Sequence, residues 1–231
     1  MKSWLTICLL AVAICSHAKP PNIVFIVGDD IGYGDFGCYG SQLNATPHID
    51  ALALRGLRFT DYHSAGAMCS PTRASILTGL YPHRFGPEFD GALSVRDDRK
   101  VGLPLAAVTL TECLSGVGYA TGCFGKWHLG YSAPLLPTRQ SFETFRGLLG
   151  GDGDFHTRIN RSGNPDWYDG ETLVPESGRR RLKSWTVARA RKPITGLAIR
   201  SFSNRPAKAP PCSFFTRWSL AKTEVPATGG A

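Results

Sequence analysis

Three short stretches of this 231-residue chain carry side chains that could do chemistry. Cys69-Ser-Pro-Thr-Arg73 sets a thiol ahead of a proline suited to a first helical turn, with an arginine one turn on. A helix amino terminus offers unpaired N–H groups and the positive end of a dipole, so an anion at the thiol position is favoured. The plainer alternative is a buried cysteine beside an ordinary proline-initiated helix. Asp29-Asp30 places two carboxylates side by side, which repel unless a cation or shifted pKa values relieve them. A hard divalent ion held by oxygen ligands, Ca²⁺ or Mg²⁺, would satisfy both, and an acidic turn in solvent is an equal alternative. Lys126-Trp-His128 adds a cation and an imidazole, which taken alone read as a surface lysine and histidine.

Other reactive side chains have weaker support. His63, His83 and His156 lie in no motif and read as structural or loop residues. Asp152-Gly-Asp154 resembles a metal-binding loop, although a glycine-rich turn is the better reading. Cys113 and Cys123 could pair or sit as core thiols, and their spacing does not decide between these.

The elements that must position the three stretches follow from hydrophobic pattern. Asn22-Ile-Val-Phe-Ile-Val-Gly28 is a continuous apolar, β-branched run, expected to be a strand buried on both faces that ends just before the two aspartates. Ligands of open α/β sheets bind beyond such strand ends. Glycines 32, 34, 37 and 40 then keep the chain in an open loop. Helices are expected over Thr46–Arg55, from Ser70-Pro71 to about Gly79, and over Thr109–Ser115. Strands are expected over Leu57–His63 and Tyr119–Phe124, the latter running into Gly125-Lys126. Between His83 and Pro104, and from Tyr131 to Gly178, the chain reads mostly as loop. Alternating strands and helices predict an α/β fold with a mainly parallel sheet.

Taken together the motifs resemble those of one family. Ala67-Met-Cys-Ser-Pro-Thr-Arg-Ala-Ser-Ile-Leu-Thr-Gly79 is similar to the first signature of the sulfatases. Gly118-Tyr-Ala-Thr-Gly-Cys-Phe-Gly-Lys-Trp-His128 resembles the second, with Phe124 where a smaller residue is usual. Pro21-Asn-Ile-Val-Phe-Ile-Val-Gly-Asp-Asp-Ile-Gly-Tyr-Gly-Asp35 resembles the family's opening strand and metal loop. The resemblance covers roughly residues 20–178 and is to the type I, formylglycine-dependent members. It implies an alkaline-phosphatase-like α/β fold, incomplete here, and hydrolysis of sulfate esters.

By the resemblance, Cys69 is oxidised to formylglycine by a formylglycine-generating enzyme that reads Pro71 and Arg73. The aldehyde hydrates, one hydroxyl attacks sulfur, and the second releases sulfate as the aldehyde returns. Asp29, Asp30 and the modified Cys69 would bind Ca²⁺ or Mg²⁺, and Arg73 would steady the hydrated aldehyde. Lys126 would face the sulfate as a point charge, and His128 would hydrogen-bond the diol or move its proton. The loops are nearest to arylsulfatase A-like and N-acetylgalactosamine-6-sulfatase-like members, which implies a sulfated glycan or sulfated small molecule as substrate.

The rest of the chain departs from that pattern. The family draws an Asp-Asn pair, a His and a Lys from its second half, yet here no Asp follows Asp169 and no His follows His156. Two carboxylates and one further oxygen fall short of the ~6–8 ligands Ca²⁺ takes, which leaves the activity of this chain in question. Residues 1–178 hold 14 Lys+Arg against 17 Asp+Glu, whereas 179–231 hold 12 against Glu224 alone. This basic tail, interrupted by Pro193, Pro206, Pro210 and Pro211, shows no sustained helix or strand period. Abrupt loss of resemblance and acids near Gly178 points to a shifted reading frame or a truncation. A polyanion-binding arm is the functional alternative.

At the other end, Lys2, an apolar run from Trp4 to Ile14 and Ser16-His17-Ala18 form the pattern of a signal peptide cleaved after Ala18. The expected organisation is therefore signal peptide 1–18, sulfatase amino-terminal portion 19–178 and anomalous tail 179–231. A secreted or periplasmic location follows, with no stable membrane anchor and no specific nucleic-acid partner. Export leaves Cys38, Cys69, Cys113, Cys123 and Cys212, an odd count that leaves at least one unpaired or modified. A secreted, non-catalytic module that binds sulfate esters or polyanions through Lys126, Arg73 and the tail is the competing function. A phosphate-ester enzyme is disfavoured by cysteine rather than Ser or Thr at position 69.

Overall fold

The apolar run after Pro20-Pro21 forms strand β1, Ile23–Gly28, and it delivers Asp29 and Asp30 at its carboxyl end. The computed structural model describes residues 20–94 and 100–174, and the backbone of 194–201. The expected signal peptide and most of the basic tail lie outside the described residues. The helices are α1 (Pro47–Arg55), α2 (Cys69–Thr78) and α3 (Leu110–Gly116). The further strands are β2 (Tyr119–Lys126), β3 (Thr144–Leu148), β4 (Tyr168–Asp169), β5 (Thr172–Leu173) and β6 (Ile194–Ser201).

Local chemistry explains the helix limits. Pro71 sits in the first turn of α2, where an N–H would have no intrahelical acceptor. Gly79 closes α2 in the left-handed region (φ 68), its N–H donating to the Ser75 carbonyl at 2.8 Å. Thr109 and Glu112 form a reciprocal capping box at α3: the Glu112 N–H donates to Thr109 Oγ1, and the Thr109 N–H donates to Glu112 Oε2.

The six strands form one mixed sheet in the order β1-β6-β2-β3-β4-β5. Among the described residues, only β2 and β3 pair in parallel, and the other strand pairings are antiparallel. The expected α/β layering of sheet and helices is present, while the pairing is mixed rather than mainly parallel. The cause lies in β6, which runs antiparallel between β1 and β2 and keeps those two strands pointing the same way. Both neighbours offer free edge N–H and C=O groups, and Ile194, Thr195 and Ile199 suit extended backbone. The tail was expected to lack strand structure, so β6 corrects that reading.

Three further expectations are corrected. Leu57–His63 alternates in character but forms no strand, since no neighbouring edge pairs with it. β3, β4 and β5 fall within a stretch expected to be loop. β1 was expected to be buried on both faces, yet Val24 and Ile26 are 65% and 62% exposed because β1 is the outer strand of the sheet.

The core lies between α2, β2 and β3, with Leu77, Phe89, Trp127, Phe142 and Phe145 nearly solvent-free. Trp127 meets Phe142 edge-on at 5.9 Å. This cluster anchors the start of α2 beside the end of β2, which brings together two of the three sequence motifs. Cys113 is disulfide-bonded and Cys123 is a free buried thiol, so the two do not pair with each other.

Candidate active site

Parallel pairing continues beyond β2: the Trp127 and His128 N–H groups donate to the Leu148 and Leu149 carbonyls at 2.9 and 3.0 Å. The chain then enters left-handed backbone at His128 (φ 59), uncommon for a residue with a side chain. The imidazole is 4% exposed. Its Nε2 lies 2.8 Å from the Leu93 carbonyl. A carbonyl only accepts, so Nε2 carries the proton and Nδ1 holds the lone pair, with no hydrogen-bond partner among the described residues. Burial, reinforced by the nearby Lys126 and Arg73 charges, pushes the His128 pKa down to about 4, so the ring is neutral at physiological pH.

Leu93 joins His128 to the cysteine helix through its backbone alone. Its N–H donates to Ser70 Oγ at 3.0 Å, and its carbonyl also accepts from the Tyr131 hydroxyl at 3.4 Å. Gly151 also approaches the ring so closely that a β-carbon would overlap Cε1 and both ring nitrogens of His128. Asp166 holds the segment ahead of Gly151: its two carboxylate oxygens accept from the Leu149 N–H at 3.0 Å and the Gly150 N–H at 2.8 Å.

A cluster of charges forms where β1 and β2 end near α2. Lys126 Nζ donates to the Asp29 carboxylate at 3.0 and 3.3 Å, and Arg73 Nη2 stands 3.6 Å from Asp29 Oδ1. Arg73 Nη1 also donates to the Lys126 carbonyl at 2.6 Å. The ammonium is 5% exposed and the carboxylate 15%, so neither is much screened by water.

A cleft of about 400 Å³ is lined by Cys69, Leu93, His128, Tyr131, Asp152 and Arg161, among others. Cys69 is a half-buried free thiol in the first turn of α2. Arg73 and Lys126 line a smaller neighbouring cavity with Phe25 and Val27. The expected residues thus fall into two groups: Cys69 with His128 on the cleft, and Asp29 with Arg73 and Lys126 beside it. Asp30 is exposed and in left-handed backbone (φ 54). His63 is exposed beside Asp61, and Asp154 shapes a turn by accepting from the His156 and Thr157 N–H groups.

The expected metal ligands do not assemble. Among the described residues, no three of His, Cys, Asp and Glu gather closely enough to hold a metal ion. Asp29 is instead neutralised by Lys126 and Arg73. Two carboxylates of which one is ion-paired do not by themselves fit a Ca²⁺ or Mg²⁺ site, which takes about six or more oxygen ligands.

The comparisons with known proteins agree with the motifs. The profile of the Sulfatase family matches residues 21–178, well over half the chain. The chain belongs to the sulfatase family. It is 48% identical to arylsulfatase A of Homo sapiens over 143 residues, covering 61% of this chain and 28% of that protein. It is 43% identical to steryl-sulfatase of Rattus norvegicus over 156 residues, covering 61% of this chain and 27% of that protein. The chain therefore spans less than a third of these curated relatives. Among solved structures, Ps i-CgsB superposes with a TM-score of 0.61 at 34% identity, covering 69% of this chain and 38% of that one. A structure from Bacteroides thetaiotaomicron, described with the metabolism of multiple glycosaminoglycans, gives 0.55 at 31%, covering 68% and 32%. The architecture is the alkaline-phosphatase-like fold of this sulfatase group, present in part.

Leu93, Tyr131, Gly151, Arg161 and Asp166 escaped the sequence reading, and Asp152 was read only as part of a glycine-rich turn. Leu93 acts through its backbone and leaves no side-chain signal. The Gly150-Gly151 pair was the one visible cue to the His128 contact.

Proposed function

We propose that this chain is the amino-terminal part of a sulfuric ester hydrolase whose nucleophile is formylglycine made from Cys69. The observation that carries the reading is Cys69 in the first helical turn, sharing a cleft with neutral His128, within a chain that matches the sulfatases over 21–178. The position fits the role, since the half-buried Cys69 lies on the cleft where a nucleophile made from it would meet a substrate. When formed, the hydrated aldehyde supplies an oxygen nucleophile that a thiol cannot provide.

The chain's own residues have the complementary roles. His128 presents an unprotonated Nδ1, able to accept a hydrogen bond or a proton from a group in the cleft. Lys126 and Arg73 supply positive charge beside the cleft to favour a bound sulfate, with Asp29 holding both in place. The substrate class is a sulfated glycan. A second solved form of Ps i-CgsB is a complex with k-i-k-neocarrahexaose, and the Bacteroides relative is described with glycosaminoglycans. A formylglycine-generating enzyme is the required partner, and the amino-terminal signal pattern assigns export. Among the described residues no helix is long and apolar enough to cross a membrane.

The organisation we infer is signal peptide 1–18, sulfatase portion 19–178 and anomalous tail 179–231. Translating the nucleotide sequence in the other two frames tests the tail; a frame that restores an Asp-Asn pair and a His-bearing segment supports a frameshift. Activity is tested by sulfate release from a chromogenic aryl sulfate after co-expression with the modifying enzyme. Turnover lost in Cys69→Ala supports the reading. Peptide mass spectrometry over Cys69 should show a loss of ~18 Da, and an intact thiol there would count against it.

A further inference from the structure

The cleft holding Cys69 and His128 has a second wall that the sulfate-ester reading leaves without a role. It is the tip of a tight hairpin closed by an antiparallel bridge between Ile159 and Pro165. The hairpin is held firmly from within. Asn160 Oδ1 accepts from the Ser162 and Asn164 N–H groups at 3.1 and 2.9 Å, and the Gly163 N–H donates to the Asn160 carbonyl at 2.9 Å. At its base, the Asp166 N–H donates to the Arg158 carbonyl, and the Arg158 guanidinium stacks 4.9 Å from the buried Trp167 ring. The tip is therefore fixed relative to the core that seats His128.

Two side chains of opposite character line the cleft from this side, Asp152 and Arg161. They make no ion pair with each other, and no hydrogen bond or ion pair to Arg161 occurs among the described residues. An exposed guanidinium held on a rigid tip keeps its full set of five donors for a planar oxyanion. Asn160 and Asp152 offer polar groups suited to sugar hydroxyls. About 400 Å³ lies within the usual range of small-molecule pockets.

We propose that Arg161 recognises a second anionic group of the substrate, a carboxylate or second sulfate set apart from the ester over Cys69. The cleft then selects dianionic saccharides over monosulfated ones. The inference rests on the sulfate-ester reading and narrows its substrate class.

The test is calorimetric binding to the full-length chain carrying Cys69→Ala, which blocks turnover, at ~0.15 M salt so that loose surface attraction is screened. The probes are N-acetylgalactosamine 6-sulfate, N-acetylgalactosamine 4,6-disulfate, and a 6-sulfated disaccharide bearing a uronate. The expected result is at least tenfold tighter binding of one dianionic probe than of the monosulfated sugar, and the probe preferred tells carboxylate from sulfate. Arg161→Gln should remove that gain while leaving monosulfate affinity within twofold, and Arg161→Lys should retain part of it. Monosulfate binding with no dianion gain, or a gain that survives Arg161→Gln, overturns the inference alone. No binding by any of the three overturns both it and the sulfate-ester reading.

Discussion

Gly151 lies against the imidazole of His128 with no room for a β-carbon between them, and Nε2 of the same ring lies 2.8 Å from the Leu93 carbonyl. The neutral histidine is thus contacted by two backbone segments distant in sequence. Its tautomer is set by an acceptor that has no proton to give. Among the described residues, the Nδ1 lone pair of this buried ring has no hydrogen-bond partner.

Replacing that glycine should therefore disturb the contact. Gly151→Ala is expected to cost about 1–3 kcal/mol by overpacking and to lower sulfate release at least tenfold in the modified enzyme. Urea melts and aryl-sulfate assays check the two effects separately. A variant with wild-type stability and activity would mean that the ring is not confined as described.

The acid response of stability carries the signature of a buried neutral histidine. The folded-state pKa of His128, about 4, lies below its ordinary 6.5. The unfolded chain therefore binds this proton first as pH falls. Stability is full above about pH 6.5 and declines towards pH 4, by about 3 kcal/mol over that window. His128→Gln should lack this component. Urea midpoints of both proteins at pH 7 and pH 4 test it.

The Asp29–Lys126 pair should respond to single and double replacement differently. Lys126→Met leaves a largely buried carboxylate with Arg73 as its remaining close cation and is expected to cost about 3 kcal/mol. Combining it with Asp29→Asn should recover at least half of that loss. A double-mutant cycle by chemical denaturation gives the coupling. Strict additivity would show that the two groups act independently.

Asp166 uses both carboxylate oxygens as acceptors for backbone N–H groups. Asp166→Asn turns one acceptor into a donor facing a donor, with an expected cost of about 1–3 kcal/mol. Denaturant titration measures this, and unchanged stability would exclude the bridging role.

Because Lys126 and Arg73 already neutralise Asp29, millimolar Ca²⁺ should not raise the melting temperature of this chain, and chelator should not lower it. Thermal melts with each addition check the point. A saturable upward shift would show that the carboxylate exchanges its ion pairs for metal.

Local residue chemistry made much of the framework legible. The apolar run before Asp29 predicted β1, and the helix expected over Thr109–Ser115 became α3, with Thr109 as its cap. Pro71 located α2, although the helix begins at Cys69 itself rather than after it. Leu57–His63 had the alternation of a strand without an edge to pair with. β3, with Arg146 and Gly147 inside it, lacked strand character yet became one because β2 offered an open edge.

By itself the sequence determined which side chains are the candidates for chemistry and the order of the elements bearing them, since motif spacing and helix caps are local properties of the chain. Tertiary structure alone decided which of those side chains meet. It joined Asp29 to Lys126 across 97 positions, brought Gly151 and Leu93 to one imidazole, and placed β6 between β1 and β2. Such contacts come from closing long loops and filling a shared core, and residues far apart along the chain carry no local mark of them.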